Sequence, residues 1–499
     1  MADKKWFDEM EAKIPKGKVR TRFAPSPTGW MHVGGLRTAL YAYLVARQAG
    51  GTFILRIEDT DTKRYVEGAT EIIIKTLKGA GLNYDEGPDV GGPVAPYVQS
   101  ERKSLYRPYA EYLCEIGAAY YCFCEHVDYA ERDHESLGLV SAEEDKCRAL
   151  PYEEALRRVQ AGEEHVIRMK APREGTTTFE DAIFGTITVE NKTLDDMVLI
   201  KSDNLPTYNF ANVIDDHLMG ITHVVRGTEY LPSAPKYVIL YDAFGWEKPV
   251  SITVPLIMRD AHNKLSKRKG DPTYDDLLKE GYLPEAVLNY VALLGWSPGG
   301  EREIFSLEEL VEEFKISGIS KSPSIFDKEK LTYFNGVYIR ALPPERFAEL
   351  AEPYIRKALT RPDIDVAAVA ALLQPRCEVL SEIPEKIDFF EALPEYDTSL
   401  YVHKKSKTDE AVSLEMLRAA KKTFEALTEW TQESVHDALI RLVESLGVKN
   451  ATLMWPVRIA VAGKSVTPGG AVEICRILGR EETLRRIDVG IGKLEEALK

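Results

Sequence analysis

The amino-acid sequence predicts an α/β fold built on a parallel sheet, carrying an α+β insertion and followed by an all-α C-terminal region. Three observations carry this expectation. Between residues 18 and 62 the order is strand, Gly/Pro loop, helix, apolar strand, which is a βαβ unit with a right-handed crossover. Strand patterning of the same kind returns only after about residue 205, beyond a stretch of different character. From about residue 275 onward the pattern is mostly helical to the end of the 499 residues, with no strand-rich block.

The elements follow in order. Residues 19–23 form a short strand that breaks at Pro25-Ser26-Pro27-Thr28-Gly29. After Met31-His32-Val33-Gly34-Gly35, the residues Leu36, Leu40, Tyr43 and Leu44 recur at helical spacing, and Gly50-Gly51 ends that helix. An apolar strand at 52–57 leads into Glu58-Asp59-Thr60-Asp61. Residues 62–83 read as a helix, 83–102 as a Gly/Pro-rich surface loop, and 100–117 as a second helix. Residues 118–205 mix short strands with a polar stretch. Strand-like patterning is then expected at 208–213 and 222–226, a helix near 233–244, and an apolar strand at 251–258. That strand runs into the basic loop Lys264-Leu265-Ser266-Lys267-Arg268-Lys269-Gly270.

Composition narrows the class. Hydrophobic residues make up 44% and charged residues 29%, the usage of a soluble globular chain rather than a disordered or fibrous one. Six cysteines are too few for a disulfide framework, so a reducing cytoplasm is the expected compartment. No apolar run has the length of a bilayer span, and the N-terminus lacks the apolar core of a secretory signal. Lys plus Arg is 64 and Asp plus Glu is 79, a formal charge of −15. That balance excludes a protein that coats nucleic acid indiscriminately, but not an enzyme that grips a polyanion through local basic patches.

Two loops carry the chemistry. In an open parallel sheet, ligands bind beyond the C-terminal ends of the strands, where both the Arg22–Gly35 loop and the Lys264–Gly270 loop should lie. A Gly pair at a helix start lets backbone N–H groups approach a phosphate, and His32 adds a donor. Taken alone, the first loop is equally a tight strand-to-helix turn capped by a histidine, and the second a solvated basic turn. Together on one sheet edge they suit a nucleoside triphosphate held from two sides. Ala462-Gly463-Lys464-Ser465 ends like a P-loop, but Arg458 stands where its first glycine is required, so that reading is rejected.

Four segments, RFAPSPTGWMHVGGLRTA, FILRIEDTD, PTYNFANVIDDHLMGITHVVRGTEYL and KLSKRKG, resemble in order and spacing the signatures of bacterial-type glutamyl-tRNA synthetases, a class I aminoacyl-tRNA synthetase family. The resemblance extends from about Val19 to AGKSVTPGGAVEICRILG near the C-terminus. It implies ATP-dependent ligation of L-glutamate to tRNA through glutamyl-adenylate, with Mg²⁺ accompanying ATP. It implies a Rossmann-like catalytic domain in two halves, 17–100 and 206–262, after an N-terminal extension at 1–16. An insertion at 101–205 would bind the tRNA acceptor end, 263–330 would contact its stem, and a helical region at 331–499 would bind the anticodon.

Site residues transfer position by position. His32, Gly34, Gly35, Lys264 and Lys267 form the implied catalytic set, and Glu229, Ile257, Leu265, Ser266 and Arg268 complete the ATP site. Arg22 and Arg226, with Tyr208, would face the side-chain carboxylate of glutamate. Glu58 would accept its ammonium, helped by the Ala24–Ser26 loop, with Asn212 alongside. Arg376 and Arg458 are candidates for anticodon contacts, and for both the plain alternative is a solvated helix face.

Cys122, Cys124 and Cys147 raise a zinc question. Some relatives have four ligands at this spacing, but here Ala149 stands at the fourth position. His126, Tyr129, His134 or Asp145 are the substitutes, and without one the insertion has lost its metal. Cys377 and Cys475 read as core residues. The partners expected are tRNA for glutamate, L-glutamate and ATP, with no membrane, for a monomeric enzyme. Whether tRNA for glutamine is also glutamylated stays open. Two other readings stand beside it: a tRNA-binding regulator without catalysis, disfavoured by intact His32, Gly34, Gly35 and Lys267, and glutaminyl ligation, disfavoured by the two arginines and the helical tail.

Overall fold

The computed structural model describes residues 3–60, 66–124, 146–265, 270–362 and 364–499. They divide into two compact units, one running to Leu277 with Val287–Asp327, the other Leu278–Ala286 with Lys328–Lys499.

In the first unit, in chain order, come α1 (Lys4–Ala12), β1 (Arg20–Phe23), α2 (Val33–Gln48), β2 (Thr52–Leu55), α3 (Ala69–Gly79), α4 (Lys103–Glu115) and β3 (Ala119–Cys122). After them come α5 (Tyr152–Gln160), β4 (Val166–Met169), β5 (Thr176–Asp181), β6 (Gly185–Glu190), β7 (Val198–Ile200), α6 (Tyr208–Leu218), β8 (His223–Gly227), α7 (Ala234–Phe244) and β9 (Val250–Val254). Six strands form one sheet in the order β2-β1-β8-β9-β5-β6. All neighbours run parallel except the β5–β6 hairpin at the edge. In register, Arg22 lies opposite Ile54, and Arg226 opposite Thr253.

Strand parity sorts the side chains of β1. The Thr21 hydroxyl donates to the Ala42 carbonyl of α2 at 2.7 Å. Arg22, on the opposite face, reaches Asp216 of α6 at 3.0 Å. The order of strands reverses between β1 and β8, which makes their C-terminal ends the switch-point crevice of the sheet.

Two expectations are corrected. Residues 208–213 are not a strand but the start of α6. Phe210, Val213, Ile214 and Leu218 form its buried stripe, and six residues were too short a window to separate period 2 from period 3.6. The 101–205 segment is shared between two sheets. Its β3, β4 and β7 form a three-stranded sheet, whereas β5 and β6 extend the main one.

The second unit is helical, as expected of the C-terminal half. Among its helices are Pro344–Ala358, Glu410–Glu425, Gln432–Leu446, Asn450–Ala462 and Arg480–Ala497. Asp409 and Thr431 cap two of them by accepting from Val412 and Ser434 backbone N–H groups. Cys377 and Cys475 are both fully buried in its core. Arg486 is also fully buried and donates to the Phe389 and Val461 carbonyls at 2.7 Å each.

Candidate active site

A cavity of about 450 Å³ opens at the switch point. Its lining comes from the ends of β1, β8 and β9 and the loops that follow, including Arg22, Ala24, Ser26, His32, Gly34, Gly35, Tyr208, Arg226, Glu229, Ile257, Lys264 and Leu265. Twelve residues singled out in the sequence, from four separated segments, thus line one cavity.

His32 is both a cap and a cavity residue. It precedes α2 in extended conformation, and its Nδ1 accepts from the Gly35 backbone N–H at 3.2 Å. In a neutral ring that bond puts the proton on Nε2, which makes Nε2 the donor. Gly34 permits the arrangement, because a β-carbon there would sit 2.9 Å from His32 Cε1.

The basic loop is tied to the same place at both ends. Leu265 N–H donates to the Ile257 carbonyl at 3.0 Å, and Thr273 bridges to His32. Ser266, Lys267 and Arg268 lie outside the described residues.

The expected amino-acid contacts surround a buried charge cluster. Arg22 donates to both carboxylate oxygens of Asp216, from Nε at 3.0 Å and Nη2 at 3.2 Å. Arg226 donates through Nη2 to Asn212 Oδ1 at 2.5 Å and to Asp216 Oδ2 at 3.3 Å, and its guanidinium lies 4.7 Å from the Tyr237 ring centroid. Asn212 Nδ2 donates back to the Tyr208 carbonyl at 2.9 Å. Glu58 is buried just outside the lining. Its backbone N–H donates to the Pro25 carbonyl at 3.0 Å, and its Oε1 accepts from Arg56 at 2.8 Å. Around the cavity, Glu58 Oε2, Arg226 Nε and Arg37 Nε are buried atoms that no hydrogen-bond partner meets among the described residues.

Burial pushes the Asp216 carboxyl up, but Arg22, Arg56 and Arg226 outweigh burial and hold it at about 2. At Glu58 burial wins over Arg56, so its carboxyl lies above the usual carboxylate range.

The reading from sequence missed Arg56, Asp215 and Asp216, although all three lie inside the matched segments. Spacing marks two of them as neighbours of expected site residues, but neither Asp215 nor the pairing between segments. Arg56 and Glu58 are two apart on an extended chain, and Asn212 and Asp216 four apart on a helix, so each pair shares a face.

The other candidates lie elsewhere. The Cys122, Cys124 and Cys147 sulfur atoms fall within 4.8 Å of one another, with Cys124 and Cys147 3.5 Å apart. His126, Tyr129, His134 and Asp145 lie outside the described residues. In the second unit Arg376 is exposed. Arg458 stacks 4.6 Å over Trp455 and donates to the Ser465 carbonyl at 2.9 Å and the Thr467 hydroxyl at 3.0 Å.

A family model described as the catalytic domain of class I tRNA synthetases (E and Q) matches residues 18–333. The chain belongs to this family. A model of an anticodon binding domain matches residues 346–491 of this class I synthetase. It is 57% identical over 483 residues to a glutamate–tRNA ligase of Clostridium tetani, covering 96% of this chain and 99% of that one. Against the glutamate–tRNA ligase of Clostridium acetobutylicum the identity is 53% over 481 residues, with the same coverage. Among solved structures it resembles a glutamate tRNA ligase from Elizabethkingia meningosepticum in complex with its amino acid, and one from Elizabethkingia anophelis. Each superposes with a TM-score of 0.82 at 35% identity, covering 96% and 95% of this synthetase and 100% of the other chain. No helix among the described residues is long and apolar enough to cross a membrane.

Proposed function

We infer that the protein ligates L-glutamate to tRNA in two steps, the first of which consumes one ATP. The observation that carries this reading is the pair of buried orphan atoms of opposite character, Glu58 Oε2 and Arg226 Nε, beside a cavity that also holds the His32–Gly35 helix start. An acidic amino acid supplies an ammonium for the first and a carboxylate for the second. ATP, entering as its magnesium complex, meets the N–H groups at the start of α2 and the His32 Nε2 donor. Glu229 and Ile257, both in the lining, face its adenosine in this reading.

The α-carboxylate of glutamate attacks the α-phosphate, glutamyl-adenylate forms, and pyrophosphate leaves. The glutamyl group then passes to the terminal ribose hydroxyl of tRNA, releasing AMP. The transition state gathers negative charge on phosphate oxygens, so the protein's part is positioning and positive potential. Lys264 lines the cavity, and Lys267 is assigned the same part from the sequence. Removal of one such group costs about 10²–10³ in rate, by analogy with other preorganised donors.

Arg376, exposed, and the loop held by Arg458 are assigned to anticodon contacts in the helical unit. The three cysteines fit three corners of a tetrahedral zinc site, since thiolates bound at about 2.3 Å lie within about 4 Å of each other. Among the described residues no fourth ligand joins them.

The test is glutamyl-tRNA formation by the purified protein with ATP, using separated tRNAs for glutamate and glutamine, and with glutamine as competing amino acid. Glutamate should be esterified to tRNA for glutamate and glutamine should be rejected. Failure to charge glutamate, with tRNA binding retained, overturns the reading.

A further inference from the structure

We propose that Arg56 and Asp216 are positioning residues for amino-acid recognition: a buried row of alternating charge, from Glu58 through Arg56 and Asp216 to Arg22 and Arg226, holds the ammonium acceptor in register with the carboxylate donors. The proposal rests on the reading of the substrate as glutamate.

The row is continuous. Arg56 donates to Glu58 Oε1 from Nη2 at 2.8 Å and from Nε at 3.2 Å. Its Nη1 pairs with Asp216 Oδ1 at 2.8 Å. Asp216 then takes the bidentate contact from Arg22 and the single contact from Arg226. Four segments are joined in this way: the ends of β1 and β8, the residues after β2, and α6. Arg56 is 0% exposed and Asp216 1%; neither lines the cavity of about 450 Å³, and Asp216 borders a neighbouring one together with Asn212 and Arg226. They touch the groups assigned to substrate without being assigned to it themselves.

Stability alone gives no reason for such a row. Buried ion pairs roughly break even against apolar residues of similar volume, because desolvation offsets attraction. The arrangement is also unbalanced in a directed way. Arg22, Arg56, Arg226 and Arg102, which pairs with Asp215 at 2.7 Å, place four guanidinium groups against the three carboxylates of Glu58, Asp215 and Asp216. The surplus is one positive charge with Glu58 ionised, and glutamate brings a net charge of −1. The two orphan atoms sit at opposite ends of the row, the acceptor at Glu58 and the donor at Arg226. Glutamine would fill the ammonium end and leave the surplus charge uncompensated. Asp216 is ionised at any working pH, being held at about 2.

The experiment measures tRNA charging by the wild type, Asp216→Asn and Arg56→Lys, with separate KM values for glutamate, ATP and tRNA and with glutamine as competitor. For Asp216→Asn, the glutamate KM should rise about 10- to 100-fold, the range seen when a partner that orients a binding group is removed. The ATP and tRNA KM values should stay within about twofold, and selectivity for glutamate over glutamine should fall about tenfold or more. Unchanged glutamate KM and selectivity would overturn the proposal, as would a fall in kcat alone, which is what a loss of folded fraction produces. If Asp216→Asn does not fold, Arg56→Lys reads the same row from its other half. It keeps the charge and loses the two-pronged contact, so a raised glutamate KM is expected and an unchanged one overturns the proposal. If the wild type does not charge glutamate at all, the functional reading fails first and this proposal fails with it.

Discussion

Replacement of Arg226 by alanine separates substrate recognition from folding, because of how its neighbours are paired. Asp216 keeps three contacts after the change, two from Arg22 at 3.0 and 3.2 Å and one from Arg56 at 2.8 Å. No buried carboxylate is orphaned, so the severe penalty for breaking a buried pair does not arise. What disappears is the contact to Asn212 Oδ1 and the donor assigned to the incoming carboxylate. A hydrogen bond to a charged group contributes about 1.5–3 kcal/mol, which at 1.36 kcal/mol per decade is about a 10- to 150-fold rise in glutamate KM. The ATP KM should stay near the wild-type value, since Arg226 lies on β8 while the groups assigned to the phosphates start α2. Initial rates of glutamyl-tRNA formation, varied in glutamate and ATP separately, give both constants, and thermal unfolding reports the fold. A glutamate KM within twofold of wild type, in a folded variant, refutes the placement of Arg226 against the substrate.

Three further outcomes follow from the same geometry. Burial lifts the Glu58 carboxyl, so its folded-state proton is held to higher pH than in the unfolded chain. That stabilising contribution is present in acid and lost as pH rises through the folded-state value, while ammonium binding needs the ionised form. The glutamate KM should therefore rise as pH falls through the raised folded-state value of Glu58, and Glu58→Gln should raise it at alkaline pH and flatten the profile; a flat wild-type profile contradicts this. In Gly34→Ala the new methyl would crowd the His32 imidazole, at 2.9–3.0 Å, and loosen its bond to Gly35. A fall in kcat of about tenfold or more is expected with a loss of about 1 kcal/mol of stability, the usual value of a helix cap, read by charging and by urea unfolding. Arg458→Ala removes the donors to Ser465 and Thr467 and should raise the tRNA KM with the glutamate and ATP KM values unchanged, measured in one charging assay.

Much of this molecule was legible along the chain. The strand-loop-helix-strand order of the first 60 residues, the capping position of His32 and the helical C-terminal half are set by side-chain period and turn chemistry within a few neighbours. The matched segments gave the reaction class, and two of them contribute the 22–35 loop and Lys264–Leu265 to one cavity. Local pattern failed at 208–213, where the aromatic and β-branched residues of Tyr-Asn-Phe-Ala-Asn-Val favour a strand, yet Phe210, Val213 and Ile214 fall at helical spacing and continue into a helical stripe.

The charge cluster was out of reach for a different reason. Arg22 and Asp216 stand 194 positions apart, and nothing in either segment names the other as its partner. A sequence records which side chains can ionise, whereas desolvation and pairing depend on what lies within a few ångströms after the chain has closed. Folding joins the β5–β6 hairpin to the main sheet, lays α6 against the face of β1 that carries Arg22, and leaves Glu58 and Arg226 each with an unmet buried atom. Periodicity along the chain could give the elements and the loops, but the charge balance of the site is a property of the packed interior.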